Sequence, residues 1–290
     1  MKVTGFTFIR DAVKYDYPIV EAIKSILPLC NDFVVAVGNC DDGTEGLIRN
    51  IDVEKIKIIN TFWDDSPEMR KLGEVFASET NKAFGEIPPD SDWAFYIQGD
   101  EVIHEKYHDT IYSEMEKWKD NRMVDGLLFN YLHFYGSYDY VGISHRWYRH
   151  EIRIIRNDKS IYSFRDAQGF RKGNNEKLNV KPVDAYVYHY GWVKEPSVMM
   201  KKMKNASTFY ENINWIHKLD KSSTYDYSTI DALRLFTGSH PRVMEQHIKR
   251  KNWTFDYDPS FNRLSLKYKG KLFLKKYLGL NTFYENYTII

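Results

Sequence analysis

The sequence predicts an α/β fold, a mostly parallel sheet flanked by helices, with a helical and irregular C-terminal region. Three observations carry this reading. Apolar runs of strand length alternate with segments of helical period through the first hundred residues, and that alternation builds a parallel sheet through right-handed crossovers. The Phe33–Val37 run is continuously apolar, as in strands covered on both faces. Charged residues stand where the runs end, on the edge where open α/β sheets bind ligands. With 290 residues, 43% of them hydrophobic, the chain can bury about three quarters of its unfolded surface and is not an intrinsically disordered polymer.

Val3–Ile9 reads as the first strand. Tyr17–Leu29 follows as a helix, with Ile19, Ala22, Ile23, Ile26 and Leu27 at helical spacing. Phe33–Val37 is the second strand, and Asp41-Asp42-Gly43-Thr44 a turn in which Thr44 is placed to cap a short helix through Ile51. Lys55–Asn60 is the third strand. Glu68–Phe84 reads as a helix with Leu72, Val75, Phe76, Thr80 and Ala83 on one side. A Pro88–Ser91 loop then leads into the strand Trp93–Ile97. Further on come a helix over Tyr107–Trp118, strands over Gly126–Tyr135, Glu151–Asn157 and Asp184–His189, a helix over Ser197–Ile216, and a lysine-rich tail over Leu264–Leu280. The expected division is a domain over 1–195, with halves 1–105 and 106–195, and a helical extension over 196–290 packed on it.

A net charge of +1 supplies no field that would draw nucleic acid. Cys30 and Cys40 form no CxxC or metal-ligand spacing, which suits a reducing compartment. Arg10 and Asp11 interrupt the only apolar run near the start, and no apolar stretch approaches the roughly 18–20 residues of a membrane span. A cytoplasmic location is the expectation.

Gln98-Gly99-Asp100-Glu101 follows the buried aromatic strand directly. Burying charge is costly unless a partner or metal is present, and carboxylates are hard ligands suited to Mg²⁺ or Mn²⁺, which share coordination with substrate phosphates. Neighbouring side chains on a strand point to opposite faces, so one of Asp100 and Glu101 is expected to be the metal ligand and the other to orient the loop or the substrate. His189 ends another strand, and a neutral imidazole can complete a metal site. Arg10-Asp11 and Asp41-Asp42 end the first two strands on the same edge.

In these residues the chain resembles the family 2 glycosyltransferases, which share the GT-A (Rossmann-like) nucleotide-diphospho-sugar transferase fold. The matching features are Ile9-Arg10-Asp11 at the end of the first strand, the helix Glu21–Pro28, the strand Phe33–Val37 with its Asp42-Gly43-Thr44 turn, Trp93–Glu101 around the metal motif, and His189-Tyr190-Gly191-Trp192. The resemblance is good over 1–105 and looser to about 195; beyond that it rests on Gly238-Ser239-His240-Pro241. It implies a metal-assisted, inverting transfer of sugar from a nucleotide-diphosphate donor to a glycan or lipid-linked acceptor in polysaccharide synthesis. Mn²⁺ or Mg²⁺ would sit at Asp100 and His189, the donor at Arg10, Asp41, Asp42, Gln98 and Gly99, and catalytic carboxylates at Asp166 and Glu101. Asp166, in an acceptor-facing loop after the metal strand, is the base, with Glu151 in reserve; its alternative is an ion pair with Arg165 or Arg171. Arg153, Arg156 and Arg165 read as surface charges or diphosphate contacts.

Two positions depart from the family pattern. Gln98 replaces the first Asp of the metal motif, and Val37-Gly38-Asn39 stand where the family places a nucleotide-binding Asp. Two rivals remain. A nucleotidyltransferase would need a glycine-rich phosphate loop, where this chain has Arg10-Asp11-Ala12-Val13-Lys14. A sugar- or nucleotide-binding protein without catalysis is compatible with Gln98. The basic tail Lys267–Tyr277 either lies weakly on an anionic bilayer or packs on the domain with its lysines reaching solvent.

Overall fold

The computed structural model describes residues 1–64, 66–70, 73–210, 222–261, 263–278 and 284–290. Strand β1 (Val3–Ile9) is followed by α1 (Ile19–Ile26), β2 (Asp32–Gly38), α2 (Thr44–Arg49), β3 (Ile56–Thr61), α3 (Pro67–Arg70), α4 (Glu74–Gly85) and β4 (Trp93–Tyr96). β1 pairs in parallel with β2 and β4, and β2 with β3, giving the order β3-β2-β1-β4. Period-two alternation along these strands feeds two cores. Phe33, Val35 and Val37 join Ile19, Ile23 and Ile26 of α1 on one face. Phe6, Val34, Ala36 and Tyr96 meet Ala83 and Phe84 of α4 on the other. The continuous apolar runs are therefore two interleaved faces, each covered by a helix.

The second half extends the same sheet. It contains β5 (Glu101–Ile103), α5 (His108–Trp118), β6 (Gly126–Tyr135), β7 (Ser137–Gly142), β8 (His150–Arg156), β9 (Ile161–Phe164), β10 (Gly169–Lys172), β11 (Glu176–Lys177) and β12 (Asn179–Trp192). β8 enters antiparallel between β4 and β6, and β12 runs parallel to β6. The carboxyl ends of β1, β2, β4, β6 and β12 thus share one edge. β5 pairs antiparallel with β12, setting Glu101 opposite His189. β9, β10 and β11 form a separate small sheet. The sheet is curled, mostly parallel in its central strands and flanked by helices, as the sequence predicts.

Residues after 195 supply α6 (Pro196–Ser207), β13 (Leu233–Leu235), α7 (Glu245–Lys249), α8 (Leu266–Leu278) and β14 (Thr288–Ile289). β13 pairs with β7 and β14 with β12, so this region adds strands to the main sheet as well as helices. The expected helix to Ile216 is seen as far as Ser207, and its residues 211–216 lie outside the described residues. Leu72, expected on the face of the Glu68–Phe84 helix, also lies outside them. α1 stops at Ile26 and tightens into a short 3-10 turn over Leu27–Leu29, because Pro28 has no N–H to continue an α-helical ladder. In the basic tail, Tyr268 is buried while Phe273 and Tyr277 are exposed; the side chains of Lys267, Lys275 and Lys276 lie outside the described set. Among the described residues no helix is long and apolar enough to cross a membrane.

Candidate active site

A cleft of about 240 Å³ opens at the shared strand edge. It gathers Arg10 from the end of β1, Gln98, Gly99 and Asp100 from the β4–β5 turn, Asp166 from the β9–β10 loop and Lys202 from α6. Tyr17, Trp63, Phe76, Phe209 and Tyr210 form its aromatic walls. The Arg10 guanidinium lies 4.8 Å from the Trp63 ring centre and 5.5 Å from that of Phe209, and it approaches Asp11 at 3.5 Å. Such stacking fixes a cation's direction and adds about 0.5–1 kcal/mol or more.

Asp100 is buried, and its two carboxyl oxygens face different partners. Oδ2 accepts from Lys202 Nζ at 3.0 Å, and the same ammonium donates to Gly191 O at 2.8 Å. Oδ1 lies 3.7 Å from His189 Nε2. Gly191 is required here, since a Cβ at that position would stand 2.6 Å from Asp100 Oδ2 and 2.7 Å from His189 Nε2. Burial pushes the Asp100 carboxyl up, but Lys202, His189 and Lys194 together hold it far below the usual carboxylate range. Burial likewise opposes the charge on Lys202, which Tyr17 and Asp100 restore and raise. Lys194, also buried, has no carboxylate at hydrogen-bond distance among the described residues. It donates to Asp16 O, and burial followed by repulsion from Lys202 brings it down to about 7.

The state of His189 follows from its partners. His133 Nε2 lies 2.8 Å from Tyr148 O, a pure acceptor, so that nitrogen carries the hydrogen. Burial holds His133 neutral, and its Nδ1 therefore accepts. The contact at 3.0 Å between the two Nδ1 atoms then requires His189 to donate through Nδ1. His189 Nε2 keeps its lone pair on the side facing Asp100. Tautomer control of a ligand histidine by a second hydrogen bond is a common device at metal sites.

An oxygen and a nitrogen lone pair 3.7 Å apart can both reach one divalent ion at the usual bond lengths of about 2.0–2.2 Å. Among the described residues no group of three or more His, Cys, Asp or Glu side chains could hold a metal ion. The remaining coordination would come from water and substrate, the habit of Mg²⁺ and Mn²⁺. Asp100 and His189 thus fit such an ion, with Lys202 occupying the opposite oxygen of Asp100.

Glu101 stands apart from this chemistry. It is fully buried, with Arg153 Nε and Nη2 donating to it at 2.8 and 2.7 Å, Tyr131 OH at 2.8 Å and the Gln98 amide at 3.1 Å. Both oxygens are used, and the geometry gives it the task of shaping the Gln98–Asp100 turn. Arg153 is therefore no surface charge. Nor is Arg156, which donates to the carbonyls of Trp118, Lys119, Asn121 and Val124. Arg165 is exposed.

Asp42 accepts from the Lys14 amide at 2.8 Å and from the Thr44 amide at 3.1 Å, besides the Thr44 hydroxyl at 2.6 Å. Asp41 is exposed, and neither lines the cleft. Thr44 is not the helix cap expected from its sequence. Gly43 takes that place, and the Thr44 hydroxyl accepts instead from the Ala12 amide at 2.8 Å.

Gln98 Nε2 donates to Ala167 O at 3.2 Å, and so ties the turn to the loop that carries Asp166. Burial raises the Asp166 carboxyl against backbone hydrogen bonds and Arg165, which lower it. Its neighbours Arg165 and Ala167 both have left-handed backbones, with φ of 55° and 59°, a conformation that costs about 1–3 kcal/mol per non-glycine residue. Arg171, the other candidate ion-pair partner of Asp166, donates to Asn286 O and Tyr284 OH.

No family model matches the chain, and no curated protein matches it. Solved structures do. TarS from S. aureus aligns at 14% identity over 71% of this chain and 39% of its own, with a TM-score of 0.39. The 4-diphosphocytidyl-2C-methyl-D-erythritol synthase from Anaerococcus prevotii aligns at 11% identity over 72% and 95%, with a TM-score of 0.36. Glucosyl-3-phosphoglycerate synthase from Mycobacterium tuberculosis, in complex with Mn²⁺, UDP and phosphoglyceric acid, aligns at 16% over 46% and 43%, with a TM-score of 0.30. This chain spans well under half the length of TarS.

Lys202, Trp63, Phe209, Tyr210 and His133 were not singled out from the sequence. The one available signal was the basic side of the Ser197–Ile216 segment, which carries Lys202.

Proposed function

We propose that the chain is a glycosyltransferase that holds a nucleotide-diphosphate sugar in the cleft at Asp100 and transfers the sugar to an acceptor hydroxyl activated by Asp166. One observation carries the reading: a single cleft gathers two cations, Arg10 and Lys202, with the buried Asp100 and a second, raised carboxylate, Asp166. Arg10 and Lys202 suit the diphosphate, since fixed positive charge is most effective where negative charge develops. Trp63, Phe76 and Phe209 offer faces for the base or sugar ring. In an inverting transfer the acceptor oxygen forms a bond to the anomeric carbon, the bond to the diphosphate oxygen breaks, and the acceptor proton passes to Asp166. A raised carboxyl is the better proton acceptor. Mn²⁺ or Mg²⁺ bound at Asp100 and His189 would neutralise charge on the leaving diphosphate.

The β1–α1 loop speaks against nucleotidyl transfer. The amides of Ala12 and Val13 are turned to the Thr44 hydroxyl and that of Lys14 to Asp42, so they cannot cradle a triphosphate. An amide, Gln98, with its nitrogen given to Ala167 O, stands where the metal motif would carry a carboxylate, and this favours the second reading, a binding protein without turnover. A thermal-shift screen of nucleotide sugars with and without Mn²⁺, followed by donor hydrolysis, separates these. Metal-dependent stabilisation with slow hydrolysis, both lost in Asp100→Ala, is the expected result. Turnover unchanged in Asp100→Ala overturns the metal role, and binding without turnover supports the second reading.

A further inference from the structure

A second cavity, about 300 Å³, is bounded by residues 145–151 leading into β8, by Gln168, by Tyr268 and by residues 284–287. Glu151 lines it and is 3% exposed. One of its oxygens accepts from Gln168 Nε2 at 3.0 Å, while Oε2 is buried without a hydrogen-bond partner among the described residues. Leaving such an atom unpaired costs about 1–3 kcal/mol, a cost that a bound hydroxyl would remove. Gly169 keeps the space clear. A Cβ there would stand 3.3 Å from Glu151 Oε2 and collide with Asn286 Nδ2.

The cavity is joined to the proposed chemistry in two ways. The β9–β10 loop places Asp166 in the donor cleft and Gln168, two residues later, in this cavity. Trp147 and Tyr148 form a wall shared with the adjoining space into which His189 faces.

We propose that this cavity is the acceptor site and takes an uncharged carbohydrate, whose hydroxyls pair with Glu151 Oε2, Gln168 and Asn286 while a sugar ring lies against Tyr284 or Trp147. The inference rests on the transferase reading above. Burial outweighs the pull of Arg153 and pushes Glu151 up to about 8, so at neutral pH the group donates a hydrogen bond as well as accepting one. The amides and phenols beside Glu151 suit a polyol. His145, Arg146, Arg149 and His150 also line the cavity, Arg149 donating to Tyr268 OH at 3.0 Å. An anion drawn to them would still meet the Glu151 carboxyl, so displacement by phosphate is the outcome that separates the two ligand classes.

The test is direct binding, by saturation-transfer NMR on the full chain, of the methyl glycosides of glucose, galactose and N-acetylglucosamine. UDP and GDP serve as separate probes of the donor cleft. At least one glycoside should bind. Glu151→Ala should weaken it about tenfold, and Glu151→Gln, which also donates, should restore it. Tyr284→Ala, which removes an exposed ring together with the hydroxyl that accepts from Arg171, should weaken it about fivefold in a variant whose melting transition stays cooperative. Nucleotide binding should be unchanged in all three. Absence of glycoside binding, indifference to both Glu151→Ala and Tyr284→Ala, or displacement by inorganic phosphate overturns the proposal. Donor hydrolysis without glycoside binding overturns this inference alone. Glycoside binding at Glu151 in a chain that binds no nucleotide diphosphate supports the site and overturns the transferase reading.

Discussion

Arg153 meets Glu101 with two parallel hydrogen bonds, and neither side chain has any exposed surface. Removing one partner of such a pair leaves the other charge buried and unmatched, a loss of about 3–5 kcal/mol, whereas replacing both by apolar groups costs far less. Glu101→Ala and Arg153→Met should therefore each lower the denaturation midpoint steeply, and the double variant should recover much of the loss. Additive effects in that cycle would show that the two side chains do not act as a pair. Glu151 supplies the contrasting case of a carboxyl to which no cation is bonded among the described residues. Its ordinary value of 4.5 is raised to about 8 in the folded chain, chiefly by burial. The folded state then binds a proton that the unfolded state releases, so this contribution to stability is full below about pH 4.5 and is lost as pH rises through about 8. Glu151→Gln cannot ionise. Its melting temperature should gain on the parent's steadily between those pH values, and a constant difference across the range would refute the shift.

The β9–β10 loop carries the proposed base and the β4–β5 turn the proposed metal ligand, and the two are stitched together by Gln98 and Ala167. The left-handed backbones on both sides of Asp166 are strain placed at the proposed base. Ala167→Gly removes that strain but gives the unfolded chain more freedom, worth about 0.4–1 kcal/mol in the opposite sense. The difference leaves stability level or raised by about 1–2 kcal/mol, while kcat for transfer falls and donor affinity stays. An unchanged kcat would mean that the loop is not positioning Asp166.

Much of this was legible in the sequence. Arg10, Gln98, Gly99, Asp100 and Asp166, which line the cleft, and His189, which faces Asp100, were singled out because each follows or ends a strand, or lies in the loop where the family resemblance puts a base. Glu101 was given a catalytic part because its partner Arg153, 52 residues away on β8, leaves no local trace. Lys202, Trp63 and Phe209 reach the cleft from a helix, a loop and the turn after that helix, through packing that no periodicity encodes. β7, β9, β10, β11, β13 and β14 are short and carry polar residues, so they lack the apolar run that announced β1, β2 and β4.

At the scale of the whole molecule, the cleft depends on chain segments that lie far apart in sequence. Lys202, Asn205 and Phe209 come from beyond residue 195, and β13 and β14 pair with edges that would otherwise carry unpaired backbone groups. Tyr287 packs into the α4-side core with Phe170 and Val180. Open sheet edges invite association with other chains, and a core stripped of such contacts loses apolar burial at about 25 cal/mol per Å². A variant ending at residue 195 should therefore be poorly soluble or lack a cooperative melting transition, even though it retains β1 to β12. Adding Mn²⁺ and a nucleoside diphosphate should not rescue it, because Asp100 has lost the Lys202 ammonium and the cleft has lost one aromatic wall. A truncated chain that melts cooperatively and still shows metal-dependent stabilisation by a diphosphate would instead make the first 195 residues a self-sufficient donor-binding unit, with the remainder serving only the acceptor.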